Sequence, residues 1–215
     1  MDPIIERRFL AVQMRAAGDN ENPVIEGDAA VFEQETVIGS WFREMIKPGA
    51  FKRVLSEKPD VVAALNHNWD IVLGRTTAGT LTLKETKDAL HYSVDVNPRD
   101  MQAMSVYEMV KRGDVTQASF AFTVRKEEWT SPGPNSTELP LRSITEVDQL
   151  YDVGPCTFGA YPEASAQARS KAESLIKPQE TAEGQESEAE AQRVAAMQEQ
   201  AEIEKRRLEF LKIKF

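Results

Sequence analysis

The stretch 114–124, Asp-Val-Thr-Gln-Ala-Ser-Phe-Ala-Phe-Thr-Val, constrains this chain most. Strand alternation puts Ala118, Phe120, Phe122 and Val124 on one face and Gln117, Ser119, Ala121 and Thr123 on the other. A strand with one apolar face must bury it against a second layer, so the chain has to build a packed sheet. Similar runs surround it. Residues 8–14, 27–32 and 141–153 read as strands, and 80–84 and 90–96 alternate. A short apolar run, 61–65, ends at Asn66-His67. Helix signals are fewer. Residues 48–55 place Phe51, Val54 and Leu55 on one side. Met101, Met104, Tyr107 and Val110 step by three between an Asn97-Pro98 start and a Gly113 stop. These signals predict a mostly β fold with a few helices (α+β), built as a closed or strongly curved β-barrel.

Composition divides the chain. Residues 1–163 hold all three Trp and all four Tyr and are predicted to form one domain. Residues 164–188 turn to Ala, Glu, Gln, Ser and Lys and read as an acidic flexible linker. Residues 189–215 are rich in helix formers, with Val194, Met197, Ala201, Leu208 and Leu211 at helical steps; they read as a helical tail. A formal net charge of -9 argues against nucleic acid as the main partner, because phosphate binding needs clustered cations. One cysteine, Cys156, excludes an intrachain disulfide. The N-terminal sequence does not read as a signal peptide, and no apolar run reaches membrane-spanning length. A soluble protein made inside a cell is the expectation, with no cofactor: no phosphate loop or dinucleotide fingerprint is present.

Few residues offer chemistry. Ser119 sits on the polar strand face among small neighbours, where a nucleophile is rigid and approachable, although any solvent-facing strand serine looks the same. A histidine base must be one of two. His67 lies at a strand end beside Trp69; His91 shares a face with Ser93 and Asp95, the pattern of a solvated strand. A third member would orient the imidazole. Glu146 and Asp148 share a predicted face with Arg142, and either fits, as does a plain Arg–Glu pair. Cys156, between Pro155 and Thr157, reads as a packing residue rather than a thiol nucleophile. Two histidines and one cysteine make a structural zinc site a poor fit.

The order of motifs goes further. Gly27-Asp-Ala-Ala-Val-Phe32 comes first, then Trp41-Phe-Arg-Glu-Met-Ile-Lys-Pro-Gly-Ala-Phe51. Asn66-His67 with Leu73-Gly-Arg-Thr76 follows, then Gly79-Thr-Leu-Thr-Leu83. Val110 to Phe122, Arg142-Ser-Ile-Thr-Glu146 and Ala160-Tyr-Pro162 complete the series. In this order the blocks, over about residues 8 to 163, resemble the tailed-bacteriophage prohead serine proteases, a family distantly similar to the herpesvirus assemblins. The resemblance implies Ser119 as nucleophile and His67 as base, with Glu146 as the third catalytic member and Asp148 as its rival. Departures from the family pattern include Asn-Trp-Asp after His67, Ala121 where a glycine is usual, and Gly154 where a serine is common.

The resemblance also implies a serine endopeptidase acting in the host cytoplasm, inside the assembling prohead. Its substrates would be the scaffolding protein, or a scaffold-like segment of the major capsid protein, and itself. A homo-oligomer, in particular a dimer, is a further implication. The competing expectation is a non-catalytic capsid assembly or scaffold protein on the same fold.

Overall fold

The computed structural model describes residues 4–10, 14–19, 21–133, 136–158 and 165–176. The chain divides into Met1–Ile176 and Lys177–Phe215. The expected tail, 189–215, and the block Ala160-Tyr-Pro162 lie outside the described residues.

The structure is mostly β. One sheet carries β1 (Glu6–Leu10), β10 (Gln117–Thr130), β11 (Leu141–Cys156), β5 (Phe42–Ile46) and β4 (Thr36–Ile38), in that order. Two further strands, β6 (Val62–Ala64) and β7 (Val72–Arg75), extend from β11. The second sheet runs β2 (Arg15–Gly18), β3 (Pro23–Val31), β9 (Ala89–Asp95), β8 (Leu81–Glu85). The described strands do not close into a barrel, which corrects that part of the expectation; the two sheets keep separate strand orders. The predicted α+β character holds. Three α-helices occur among the described residues: α1 (Lys52–Ser56), α2 (Met101–Arg112) and α3 (Ala166–Ile176).

The core lies where the apolar strand faces meet. Ile25, Leu90, Tyr92 and Val94 of the second sheet pack in one cluster with Phe120, Phe122, Ile144 and Val153 of the first. Phe120 and Phe122 sit on the face the alternation predicts, their rings stacked at 4.8 Å. The α2 helix closes the cluster with Val106, Tyr107 and Val110. Its cap is Asp100 rather than Asn97: the Asp100 carboxylate accepts from the backbone N–H groups of Gln102 and Ala103. This start leaves Met101 exposed and brings Ala103 inward. Gly113 ends the helix at φ 84°, a conformation that favours glycine.

The α3 helix falls within 164–188, the segment whose composition suggested a linker. Ala168 and Ala172 are buried against Ile38 and Phe42, one helical turn apart. Two methyl groups suffice to dock a helix when the facing surface is aromatic, and Trp41 and Trp129 flank the contact.

One buried charge network crosses the first sheet. Arg8 donates to Glu44 and Glu6, and Arg142 donates to Glu6, Glu44 and Glu127. Burial alone would push the Glu6 carboxyl up. The hydrogen bonds and charges of Arg142 and Arg8 outweigh it and hold Glu6 below the usual range.

Candidate active site

The site is assembled on the β10–β11 ribbon. Ser119 stands opposite Gly154, and Ala121 opposite Asp152. Directly opposed residues share a face, so Ser119 and Asp152 project the same way, about 7 Å apart along the ribbon. On the other edge of β11, β6 runs parallel, with Asp152 opposite Val62 and Val153 opposite Ala63. The β6 strand then passes directly into a 3-10 turn, Leu65–His67.

That turn is strained. Asn66 and His67 both hold positive φ, 55° and 56°. Such residues cost on the order of 1 kcal/mol or more each and persist only where surroundings over-determine them. Asn66 supplies the restraint: its Oδ1 accepts from the Thr157 N–H at 2.9 Å, and its Nδ2 donates to Thr157 Oγ1 at 3.1 Å. The end of β11 thus clamps the turn that presents His67. Gly154 allows the close fit beneath it, because a Cβ there would stand 2.3 Å from the Ala64 carbonyl oxygen.

His67 Nδ1 lies 2.6 Å from Asp152 Oδ1. In the neutral tautomer in which Nδ1–H donates to this carboxylate, Nε2 is the ring's acceptor. Nε2 is buried and has no hydrogen-bond partner among the described residues. The Phe9 ring meets the imidazole edge-on at 5.3 Å, and Phe9 stands opposite Ser119 in the β1–β10 ladder. One residue therefore borders both. Ser119 is 1% exposed, more enclosed than an approachable strand serine suggests. Its Oγ donates to the Gly154 carbonyl at 3.4 Å, a long contact that restrains the hydroxyl little.

The expected third members lie elsewhere. Glu146 pairs with Arg53, Arg125 and Lys126, and Asp148 with Arg53 and Arg125. The Lys126 hydrogen bond, with Arg125 and Arg53 beside it, holds the Glu146 carboxyl below the usual range. The predicted face shared with Arg142 breaks up, because register shifts interrupt the ladder between Thr123 and Glu127. Arg142 consequently turns into the buried network, and the carboxylate that reaches His67 is Asp152. Cys156 is buried, which pushes its thiol up and away from thiolate character. No group of three or more His, Cys, Asp or Glu side chains able to hold a metal occurs among the described residues.

Residues 10–178 match the family described as Caudovirus prohead serine protease. The chain belongs to this family. No curated protein and no solved structure matches it. The match runs through α3, past residue 163. Among the described residues no helix is long and apolar enough to cross a membrane.

Sequence reasoning passed over Asp152 and the structural role of Asn66, and noted Trp69 only as a neighbour of His67. The signal for Asp152 was an acid set in a closing stretch of otherwise mostly apolar or small residues, 150–156. Nothing local distinguishes Trp69 from an exposed loop aromatic.

Proposed function

We propose that this prohead protease cleaves peptide bonds with Ser119 as nucleophile, His67 as general base and Asp152 as the group that orients the imidazole. The observation that carries the reading is the His67–Asp152 contact at 2.6 Å: His67 Nε2 is buried with no hydrogen-bond partner among the described residues, and Phe9 borders both His67 and Ser119. Ser119 Oγ leaves the Gly154 carbonyl by rotation about χ1 and attacks the scissile carbonyl carbon while Nε2 takes its proton. Asp152 stabilises the imidazolium that forms. The tetrahedral intermediate collapses as His67 passes that proton to the leaving amine. Water, activated by the same Nε2, then releases the acyl group and regenerates the serine. Glu146 and Asp148, the sequence-based choices, serve in this reading as ion-pair partners of Arg53.

The substrates that family membership supports are capsid-related proteins inside the assembling capsid. We assign the scaffolding protein or a scaffold-like segment of the major capsid protein, together with the chain's own C-terminal segment. Pairing of two copies belongs to the same reading. A non-catalytic assembly role is favoured by one observation, the enclosure of Ser119 and its turn toward Gly154. Two measurements decide between them. A fluorophosphonate should label the wild type and leave Ser119→Ala unmodified. Intact mass over time should show loss of a C-terminal piece from the wild type alone. Wild type that neither takes the label nor shortens rejects catalysis by this chain. Sedimentation of the purified protein reads the pairing.

A further inference from the structure

Asp152 is 1% exposed, and its two oxygens have different partners. Oδ1 meets His67 Nδ1, and Oδ2 accepts from Trp69 Nε1 at 2.7 Å. Among the described residues no Lys or Arg pairs with this buried carboxylate. Among the described residues its one ion-pair partner is His67, and the strands on either side set Ala121 and Val62 opposite it. A buried carboxylate without a cation is tolerable only when N–H donors occupy its oxygens. Trp69 supplies one of them and, at 51% exposed, has half its surface outside any packing contact. Core packing therefore does not account for its placement. The turn that carries it is held by its own bonds: Asn68 N–H donates to Leu65 O, and Ile71 N–H donates to Asn68 O at 3.0 Å. The strained turn that presents His67 thus leads straight into the residue that grips the far side of Asp152.

We propose that Trp69 is a positioning residue, whose indole N–H fixes the Asp152 carboxylate in the one rotation that lets its other oxygen aim His67. In this reading it acts through Asp152. The proposal rests on the serine protease reading above. A carboxylate freed at Oδ2 turns about its terminal bond, and Nε2 then spends less time facing Ser119.

The test compares wild type, Trp69→Phe and Trp69→His, each as the full chain. Two readouts are taken: the rate of fluorophosphonate labelling at Ser119, and the low-field proton resonance of His67 Nδ1–H. Trp69→Phe keeps an aromatic cover and loses the donor; it should label roughly ten- to a hundredfold more slowly, the range expected for a hydrogen bond to a charged group. Its low-field resonance should shift or broaden. Trp69→His restores a ring N–H and should recover part of both. Trp69→Phe with the wild-type rate and resonance overturns the positioning role and leaves the protease reading intact. Should Trp69→Phe unfold, the Trp69 indole N–H resonance in Asp152→Asn decides: a shift from its wild-type position supports the contact, and none overturns it. Wild type that takes no label overturns the protease reading and the proposal with it.

Discussion

Two His–Asp pairs occur in this molecule, one on each sheet. His91 Nδ1 lies 3.0 Å from Asp28 Oδ1, and the two residues are ladder partners on β9 and β3. His67 Nδ1 lies 2.6 Å from Asp152 Oδ1, across 85 residues of chain. The side chains of the first pair are 36% and 40% exposed, those of the second 8% and 1%. Water screens the first pair, and such contacts contribute little. The second pair is dry, its histidine sits on a strained turn, and an indole holds the second oxygen of its acid. The remaining nitrogens differ as well: His91 Nε2 has Glu26 at 3.9 Å, whereas His67 Nε2 has no hydrogen-bond partner among the described residues. The same two residue types thus make a surface contact in one place and a buried, enclosed contact in the other. What separates them is enclosure and the demand the backbone meets to create it.

Substitutions sharpen that contrast. His67→Ala should lower fluorophosphonate labelling by several powers of ten, whereas His91→Ala should label like wild type. Equal loss in both would erase the distinction drawn here. Asp152→Asn should cost about 10⁴ in labelling rate, because an amide at that place favours the wrong imidazole tautomer, and Asp28→Asn should cost nothing. Glu44→Ala should destabilise the fold by about 3–5 kcal/mol in urea unfolding, since it leaves two buried guanidiniums, Arg8 and Arg142, sharing one buried carboxylate, Glu6. Glu146→Gln should keep the wild-type labelling rate, since Glu146 pairs with Arg53, Arg125 and Lys126 and not with His67. A labelling rate that falls with Glu146→Gln and not with Asp152→Asn would return the third role to Glu146.

The buried network also fixes the sign of one pH effect. Glu6 is held below its ordinary range in the folded state, so it binds protons less readily there than in the unfolded chain. Its contribution is complete above the ordinary glutamate range and is lost as pH falls through and below that range. Glu6→Gln should flatten the acid side of the urea stability profile; an unchanged acid side would assign the effect to other carboxylates.

Much of this was legible in the sequence. The Ala118–Phe120–Phe122 alternation put the core face where it is, Gly113 ended α2, and the two residues singled out, Ser119 and His67, both border Phe9. Strand periodicity failed where the strand is irregular. Bulges between Thr123 and Glu127 shift the β10–β11 register, so counting by twos from Arg142 grouped it with Glu146, whereas Arg142 pairs with Glu6, Glu44 and Glu127 and Glu146 with Arg53, Arg125 and Lys126. Asp152 was missed because its role comes from a parallel neighbour, β6, and parallel pairing leaves no local mark. The 164–188 segment misled because composition does not distinguish a linker from a helix docked through alanines.

The Asn66–Thr157 clamp makes the direction of the imidazole depend on where β11 ends. Thr157 is the residue after the last of β11, so tension on the chain that follows it is felt at a turn already wound against its preference. Shortening the chain there, or anchoring it to a neighbour, changes the load on the turn without any contact at Ser119. The direction of the His67 ring is set from the strand's end, as a rudder is from its stock.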